Sequence, residues 1–299
     1  MYVVTGATGN TGSVVAKHLL AHGKQVRVIG RTADRLQTLA KLGAEPFVAD
    51  ITDAEPSFVP LPQRRQPMSW SRPTYAAKMY SRTPSVFPML ASAIEMTRVK
   101  HIVALSSIGA DKTEKTGSVI GLTHLEQKLR RVAGLNLICI RSGYFIENTL
   151  TQIEMLRALG KTGGPLRGNL KLPMIATRDL GVSVADALLK LNFRGKQTQE
   201  LLGQRDPDMN EVTTIIGKAI GKPDLQYVRL PPEQVQPGLV QVGMSGNMAD
   251  LLLEMSDSLN SGHIRALEER TLENTTLTSF ETFVTGTFVP LYKRKAQVA

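Results

Sequence analysis

The sequence predicts an α/β protein built on a doubly wound parallel sheet. Two observations lead to this prediction. Strand-like and helix-like segments alternate from the first residues through short links, and the first of these links is rich in glycine. The length agrees, because 299 residues with 42% hydrophobic side chains are enough for one large α/β domain, or for a core with a smaller lobe.

The first fifty residues set the order strand, helix, strand, helix, strand. Apolar side chains repeat at helical spacing in the two helical segments, and Gly23 and Gly43 follow those segments as stop signals. Links this short predict parallel strands with right-handed crossovers. The expected elements are strands at 2–5, 25–29 and 46–49 and helices at 13–22 and 33–42.

The pattern breaks between Pro56 and Pro88. This interval contains seven prolines and five basic residues, with no acidic residue. No continuous strand or helix can be written through it, because proline breaks helices and removes a donor from a strand. Further on, the expected strands are 101–105, 135–140 and 225–230, and the expected helices are 89–96, 122–132, 147–159, 179–191, 209–220, 233–242 and 247–259.

The glycine-rich link at residues 5–12 (TGATGNTG) predicts a dinucleotide site. Its position between a strand and a helix distinguishes it from an ordinary glycine-rich turn. Gly6 would permit the tight turn, and Gly9 would let the backbone approach a pyrophosphate. Gly12 would let the helix pack closely on the strand. The helix N–H groups would then face the phosphates. The candidate cofactor-binding residues in this link are Gly6, Thr8, Gly9, Asn10, Thr11 and Gly12.

The end of the second strand favours NADP(H) over NAD(H). A carboxylate there would bind an unphosphorylated ribose, but the chain has Arg31 and no acidic residue until Asp34. An arginine can pair with a 2′-phosphate through two hydrogen bonds. Arg27 is expected on about the same side as Arg31. The alternative for Arg31 is an ordinary charged residue that flanks the helix. Asp50 and Ile51, after the third strand, are candidates for contact with the adenine.

Charge and composition exclude several classes of protein. The net charge is +10, but the basic residues are spread out and lack interleaved aromatics, so nucleic-acid binding is disfavoured. No apolar run reaches eighteen residues, so no membrane span is expected, and no signal peptide precedes the first strand. One cysteine, Cys139, cannot form an internal disulfide, which predicts a cytoplasmic location. No metal site is predicted.

Several segments resemble the NmrA-like family of atypical short-chain dehydrogenase/reductases. They are residues 5–12, 26–31 (VRVIGR), 99–107 (VKHIVALSS), 140–148 (IRSGYFIEN), 200–203 (ELLG) and 217–223 (GKAIGKP). This resemblance spans the chain except Pro56 to Pro88, and it implies a Rossmann core with a small C-terminal α/β lobe. We expect the NAD(P)-binding core at residues 1–150, and the remaining core elements with the substrate lobe at 151–299.

The resemblance implies two main functions. One is an NADPH-dependent reductase of small acceptors such as quinones. The alternative is a non-catalytic NADP(H)-binding redox sensor that acts through a protein partner. An epimerase or dehydratase of nucleotide sugars is least favoured, because such enzymes normally use a Tyr-x-x-x-Lys pair.

That Tyr-x-x-x-Lys pair is missing from the helix after the serine strand. The helix reads GLTHLEQK, with Thr123 and His124 where the tyrosine would be sought. Ordinary alcohol–ketone chemistry is therefore disfavoured, whereas quinone reduction needs little acid catalysis. The candidate catalytic residues are Ser106, His124 and Lys128, and Ser106 is also a candidate cofactor contact; Tyr144, Phe145 and Asn148 are candidates for the acceptor pocket. Each of these candidates has a competing structural interpretation. Ser106 could be a strand-end cap, His124 a surface histidine, and Tyr144 and Phe145 core-packing residues.

The interval from Pro56 to Pro88 also departs from the family. There the resemblance implies a helix, a central strand and a loop beside the nicotinamide, but the apolar run for that strand is absent. Residues 73–78 (PTYAAK) look like family sequence between foreign stretches. Local reading-frame errors are one hypothesis for this interval.

Overall fold

A computed structural model describes residues 1–49, 74–77, 94 and 99–294. The chain divides into two compact units, each assembled from separate stretches. The first comprises Met1–Ala110, Ile120–Arg141 and Thr177–Gln199. The second comprises Asp111–Val119, Ser142–Ala176 and Glu200–Ala299.

Most of a seven-stranded sheet lies in the first unit. Its strands are β1 (Tyr2–Thr5), β2 (Val26–Gly30), β3 (Glu45–Val48), β4 (Thr74–Ala77), β5 (His101–Ser107), β6 (Asn136–Ser142) and β10 (Lys196–Leu201). The order across the sheet is β10-β6-β5-β4-β1-β2-β3, and β4–β5, β1–β4, β1–β2 and β2–β3 pair in parallel. The chain runs outward from β1 to β3, then returns to the other side of β1. This order confirms the doubly wound α/β fold, whose ligand crevice lies where the progression reverses.

Strand β4 corrects one expectation. No strand was expected between Pro56 and Pro88, and this is wrong at Thr74–Ala77, which pairs with β1 on one side and β5 on the other. Strand propensity depends strongly on context, and two neighbouring strand edges can pair a short segment that has little strand signal of its own. The rest of that interval, and the helix expected at 89–96 apart from Ile94, lie outside the described residues.

Within the described residues of the first unit, the helices bounded at both ends are α1 (Asn10–Ala21), α2 (Ala33–Ala40), α3 (Ile120–Arg131) and α5 (Thr177–Lys190). Helix α1 packs closely on α5, since a Cβ at Gly181 would lie 2.7 Å from the Val14 Cβ. Leu125 and Leu129 of α3 pack against buried strand residues that include Ile102 and Leu137. Each such fully buried aliphatic side chain contributes roughly 1.5–3 kcal/mol to the free energy of unfolding.

The second unit contains two small parallel sheets and the remaining helices. β7 (Tyr144–Phe145) pairs with β9 (Met174–Ile175), and β8 (Thr162–Gly164) pairs with β11 (Tyr227–Arg229). The helices are α4 (Gln152–Leu159), α6 (Met209–Ala219), α7 (Pro232–Gln241), α8 (Gly246–Asn260), α9 (Phe280–Phe283) and α10 (Val289–Lys293), with a π-helical turn at Val284–Phe288. No helix within the described ranges has the length and apolar character needed to cross a membrane.

Several element boundaries differ from the sequence expectations. Helix α1 begins at Asn10 rather than residue 13, and the helix expected from 147 starts as a 3-10 helix (Ile146–Thr151) that becomes α-helical at Gln152. Strands β7 to β10 and the helical segment from Phe280 were not expected. Strands β7, β8 and β9 have only two or three residues, too few for an alternating pattern, so only their pairing partners define them. Strand β10 has six residues, but its sequence KQTQEL carries almost no apolar side chains to indicate a strand.

Candidate functional site

The glycine-rich link forms a tight turn that leads directly into α1. Gly6 has φ +61°, and the Gly9 N–H donates to the Gly6 carbonyl at 3.0 Å. Gly9 is the N-cap of α1 and makes no side-chain cap, and the Ser13 N–H bonds to the Gly9 carbonyl at 2.9 Å. The preceding N–H groups, from Asn10 to Gly12, therefore have no acceptor within the helix and leave a partial positive charge at its start.

Gly12 allows α1 to lie directly against this turn. A Cβ at this position would lie 2.3 Å from the Gly6 carbonyl oxygen and 2.9 Å from its carbon. Both are backbone atoms, so no side-chain rotation could relieve the contact. The helix N-terminus and the turn thus share one compact site at the carboxyl end of β1.

Two buried threonine hydroxyls beside the turn have no hydrogen-bond partner in the part of the chain that the structure describes. Thr5 is 5% exposed and Thr11 is fully buried, and neither Oγ1 atom has a hydrogen-bond partner among the described residues. Buried hydroxyls are usually hydrogen-bonded. Together with the exposed side chains of Thr8 and Asn10, these hydroxyls make the turn a polar site that fits a phosphate-bearing ligand.

The end of β2 lies against the same turn. A Cβ at Gly30 would lie 3.3 Å from the Thr8 Cγ2 atom, so the chain enters Arg31 close to the glycine-rich link. Arg31 is exposed and forms no ion pair with any described carboxylate. Arg27 behaves differently, because its guanidinium pairs with Glu45 of β3 at 2.7 Å. Asp50 and Ile51 lie outside the described residues.

Ser106, near the end of β5, is held by a buried ionic network. Its Oγ donates to Glu126 Oε1 of α3 at 2.6 Å. Arg141 Nε and Nη2 donate to the two oxygens of the same carboxylate, both at 2.9 Å. Arg130 lies 3.6 Å from Glu126 Oε2, and its guanidinium also bonds to the Thr198 hydroxyl. Ser106 and Glu126 are 6% and 2% exposed.

Glu126 is a residue that the sequence reasoning missed. The signal was present, because Leu122, Leu125 and Leu129 define the inner face of α3 and residue 126 shares that face. A carboxylate on an apolar helix face indicates a buried partner, since an unpaired buried charge is very costly. That partner is Arg141 on β6, fifteen residues further along the chain.

His124 and Lys128 lie on the exposed side of α3. The buried side carries Thr123, Leu125 and Glu126. The structure therefore brings Ser106 together with Glu126 and not with His124 or Lys128. Catalytic roles for His124 and Lys128 stay predictions.

The predicted acceptor residues lie together at the start of the second unit. Tyr144 and Phe145 form β7 and are partly buried, while Asn148 is exposed in the 3-10 helix that follows. Burial raises the pKa of the Tyr144 phenol, and a side-chain hydrogen bond with Asn148 opposes this rise. Tyr227 of β11 was missed. Its pKa is raised by burial and then by the nearby Tyr144, and its hydroxyl donates to the Leu166 carbonyl at 3.1 Å.

A small open recess, with room for about one water molecule, lies elsewhere in the second unit. Ile146, Met174 and Phe280 line it with Arg205 and three other residues, and none of the predicted acceptor residues does. The Arg205 guanidinium is held between Glu211 and Glu281. A recess of this size does not match an acceptor site, because ligand pockets usually measure roughly 300–1,000 Å³. Over the described part of the chain, no three His, Cys, Asp or Glu side chains are grouped to hold a metal ion.

Solved structures with the same fold include dinucleotide-dependent enzymes and a regulator. The NADPH-dependent quinone oxidoreductase from Escherichia coli is 22% identical, with a TM-score of 0.75 over 96% of this chain and 100% of that one. The Citrobacter triphenylmethane reductase complexed with NADP(H) is 17% identical, with a TM-score of 0.74 over 96% and 99%. The negative transcriptional regulator NmrA, in complex with NADP, is 13% identical, with a TM-score of 0.73 over 97% and 95%.

Sequence comparison identifies the family directly. Curated protein sequences include no significant match to this chain. The model of the NmrA-like family, in contrast, matches residues 2–284, nearly the whole length. The glycine-rich link, β4 and the Ser106 strand all fall within the matched region. The chain therefore belongs to the NmrA-like family.

Proposed function

We propose that this chain binds NADP(H) and uses NADPH to reduce small acceptors such as quinones. The observation that carries the proposal is the uncapped N-terminus of α1, packed through Gly12 onto the turn after β1, with Arg31 following β2. This arrangement supplies N–H donors for a pyrophosphate and a guanidinium for a 2′-phosphate. No acidic residue precedes Asp34 at the end of β2, so nothing there would repel that phosphate.

The cofactor contacts follow from these positions. Gly6, Gly9 and Gly12 shape the turn, Thr8, Asn10 and Thr11 supply polar groups, and Arg31 binds the 2′-phosphate. Asp50 and Ile51 would contact the adenine. NADPH, when bound, supplies the hydride. The chain's own contribution is to orient the dinucleotide at the carboxyl ends of the strands.

The acceptor would bind against the second unit, with Tyr144, Phe145 and Asn148 as its lining. A planar ring can stack on such aromatic side chains. Quinone reduction needs little acid catalysis from the protein. The absence of the Tyr-x-x-x-Lys pair from this chain is therefore compatible with that reaction. His124 stays a candidate acid and Lys128 a candidate catalytic residue.

Two solved neighbours support this reading. One is described as an NADPH-dependent quinone oxidoreductase and another as a triphenylmethane reductase with NADP(H) bound. Those descriptions name quinones for the first protein and triphenylmethane compounds for the second. Because the identities are 21% and 17%, the acceptor of this chain is inferred from its site chemistry as well as from its relatives.

A non-catalytic NADP(H) sensor is the second candidate. Two observations favour it: the Tyr-x-x-x-Lys pair is absent, and a regulator with NADP bound shares the fold. Such a sensor would act through a protein partner rather than through turnover. For either function we propose a cytoplasmic protein without nucleic-acid or membrane partners, in line with its single buried cysteine.

The deciding experiment is a titration of the purified chain with NADPH and NADH, followed by addition of a panel of quinones. Cofactor fluorescence measures binding, and loss of absorbance at the reduced-nicotinamide band measures turnover. Tight NADPH binding with quinone-dependent oxidation supports the reductase. Tight binding without turnover on any acceptor supports the sensor, and absence of binding to both dinucleotides contradicts both functions.

A further inference from the structure

The hydrogen-bonding direction of Ser106 is determined by Glu126. Both oxygens of this carboxylate already accept N–H groups from Arg141, at 2.9 Å each, and Arg130 lies near the second oxygen. An ionised carboxylate only accepts hydrogen bonds. At 2.6 Å, therefore, the Ser106 hydroxyl must donate its hydrogen to Glu126.

This leaves Ser106 as an acceptor toward every other group. A serine hydroxyl has one hydrogen and two lone pairs. Once the hydrogen is directed to Glu126, any further partner of the Ser106 oxygen must itself donate a hydrogen bond. A quinone carries only carbonyl acceptors, so Ser106 is unsuited to bind or protonate a quinone oxygen directly.

The sheet order indicates which part of the cofactor Ser106 would meet. The glycine-rich turn follows β1, and Arg31 follows β2 on the β3 side of it. A dinucleotide held at those points would extend its nicotinamide half to the other side of β1, toward β4 and β5. Ser106 lies near the carboxyl end of β5. The nicotinamide carboxamide carries an amino group, which is a hydrogen-bond donor.

We propose that Glu126 is a positioning residue that makes Ser106 an acceptor for the carboxamide amino group of bound NADP(H). This inference rests on the proposed dinucleotide binding. It gives the buried Glu126–Arg141 pair a role beyond tying α3 to β6, because Arg141 holds both carboxylate oxygens in place. It also assigns Ser106 to cofactor orientation rather than to acid catalysis.

The test compares the binding of two dinucleotides, without turnover. One is NADPH, and the other is its reduced 3-acetylpyridine analogue, in which a methyl group replaces the carboxamide amino group. The wild-type chain should bind NADPH about tenfold more tightly than the analogue, the range expected for one hydrogen bond. Ser106→Ala should bind both with affinities within about twofold of each other, whereas Ser106→Thr, which keeps the hydroxyl, should retain the preference.

Glu126→Gln probes the positioning role itself. Each oxygen of the Glu126 carboxylate accepts an Arg141 N–H, and Ser106 shares Oε1 with Arg141 Nε, so an amide at residue 126 must set its NH2 group against one of these donors. The amide should therefore turn away from Arg141 and no longer hold the serine hydrogen, and the preference for NADPH should fall to about twofold. Glu200→Gln is the matched control, because Glu200 is a buried carboxylate of the second unit that accepts the N–H groups of Leu267 and Glu268. The control should keep the wild-type preference even if its thermal stability falls.

The outcomes separate this inference from the proposed function. A Ser106→Ala variant that still prefers NADPH tenfold, or a wild-type chain that binds both dinucleotides equally, would overturn the role given to Ser106 while leaving dinucleotide binding intact. A Glu126→Gln variant that is folded and retains the full preference would overturn the role of Glu126. A wild-type chain that binds neither dinucleotide would overturn the proposed function and this inference with it.

Discussion

The contact between α1 and the turn before it can be tested by adding one methyl group at Gly12. In the Gly12→Ala variant the new Cβ would lie 2.3 Å from the Gly6 carbonyl oxygen, whereas ordinary contact begins at 3.4 Å. The helix start and the turn must therefore separate by about 1 Å. Overpacking of this kind lowers the free energy of unfolding by roughly 1–3 kcal/mol.

The same displacement should weaken dinucleotide binding. A hydrogen bond to a charged group contributes roughly 1.5–3 kcal/mol, and a shift of about 1 Å would remove at least one such bond to the pyrophosphate. We expect the Kd for NADPH to rise roughly ten- to a hundredfold. Unfolding in urea, followed by far-UV circular dichroism, measures the stability, and cofactor fluorescence measures the Kd.

Gly238→Ala is the matched control for this prediction. Gly238 lies inside α7 with no atom within 4 Å of a built Cβ, so alanine there should raise the free energy of unfolding by up to about 1 kcal/mol. NADPH affinity should not change. If Gly12→Ala unfolds at the wild-type urea concentration and binds NADPH within twofold of wild type, the packing argument is refuted.

Three further predictions concern single side chains. Arg31→Ala should raise the Kd for NADPH at least tenfold and leave that for NADH within twofold, with the equally exposed Arg35→Ala as control; equal losses for both dinucleotides would argue against a 2′-phosphate contact. Burial, and then the charge of Glu126, raise the pKa of Cys139 to about 12, so its thiol should react with a disulfide reagent at pH 8 only after unfolding; rapid labelling of the native chain would contradict this. Tyr144→Phe should raise the KM for quinones several-fold with little effect on the Kd for NADPH, and an unchanged KM in steady-state assays would remove Tyr144 from the acceptor site.

The local part of the candidate site was predictable from sequence. Strand β1, the glycine-rich turn and the start of α1 are consecutive in the chain, and their geometry depends on glycine conformations and on helix ends within a dozen residues. The Gly6 φ of +61° and the close approach at Gly12 agree with the roles expected of those two glycines. Arg31 likewise follows β2 directly, so its place beside the turn needed only the strand order.

Side-chain partners across the sheet were harder to predict. Arg27 was expected on about the same side as Arg31, and the sequence did not indicate that its guanidinium pairs with Glu45 on the neighbouring strand β3. Alternation along one strand gives the face on which a side chain lies, while the choice of partner depends on the register of the next strand. That register is visible only in the folded sheet, where Arg27 lies directly opposite Glu45.

The sequence alone determined the α/β class, the position of the glycine-rich turn and the membership of the family. Each of these can be recognised from short segments of consecutive residues, whose conformation depends mainly on local interactions. The tertiary structure decided the rest. It placed β4 between β1 and β5 despite the surrounding prolines, because two strand edges can pair a segment of weak propensity. It also joined Ser106 to Glu126, twenty residues later, and Glu126 to Arg141, fifteen residues later. An unpaired buried charge is very costly, and only the fold decides which oppositely charged side chain lies within reach of it.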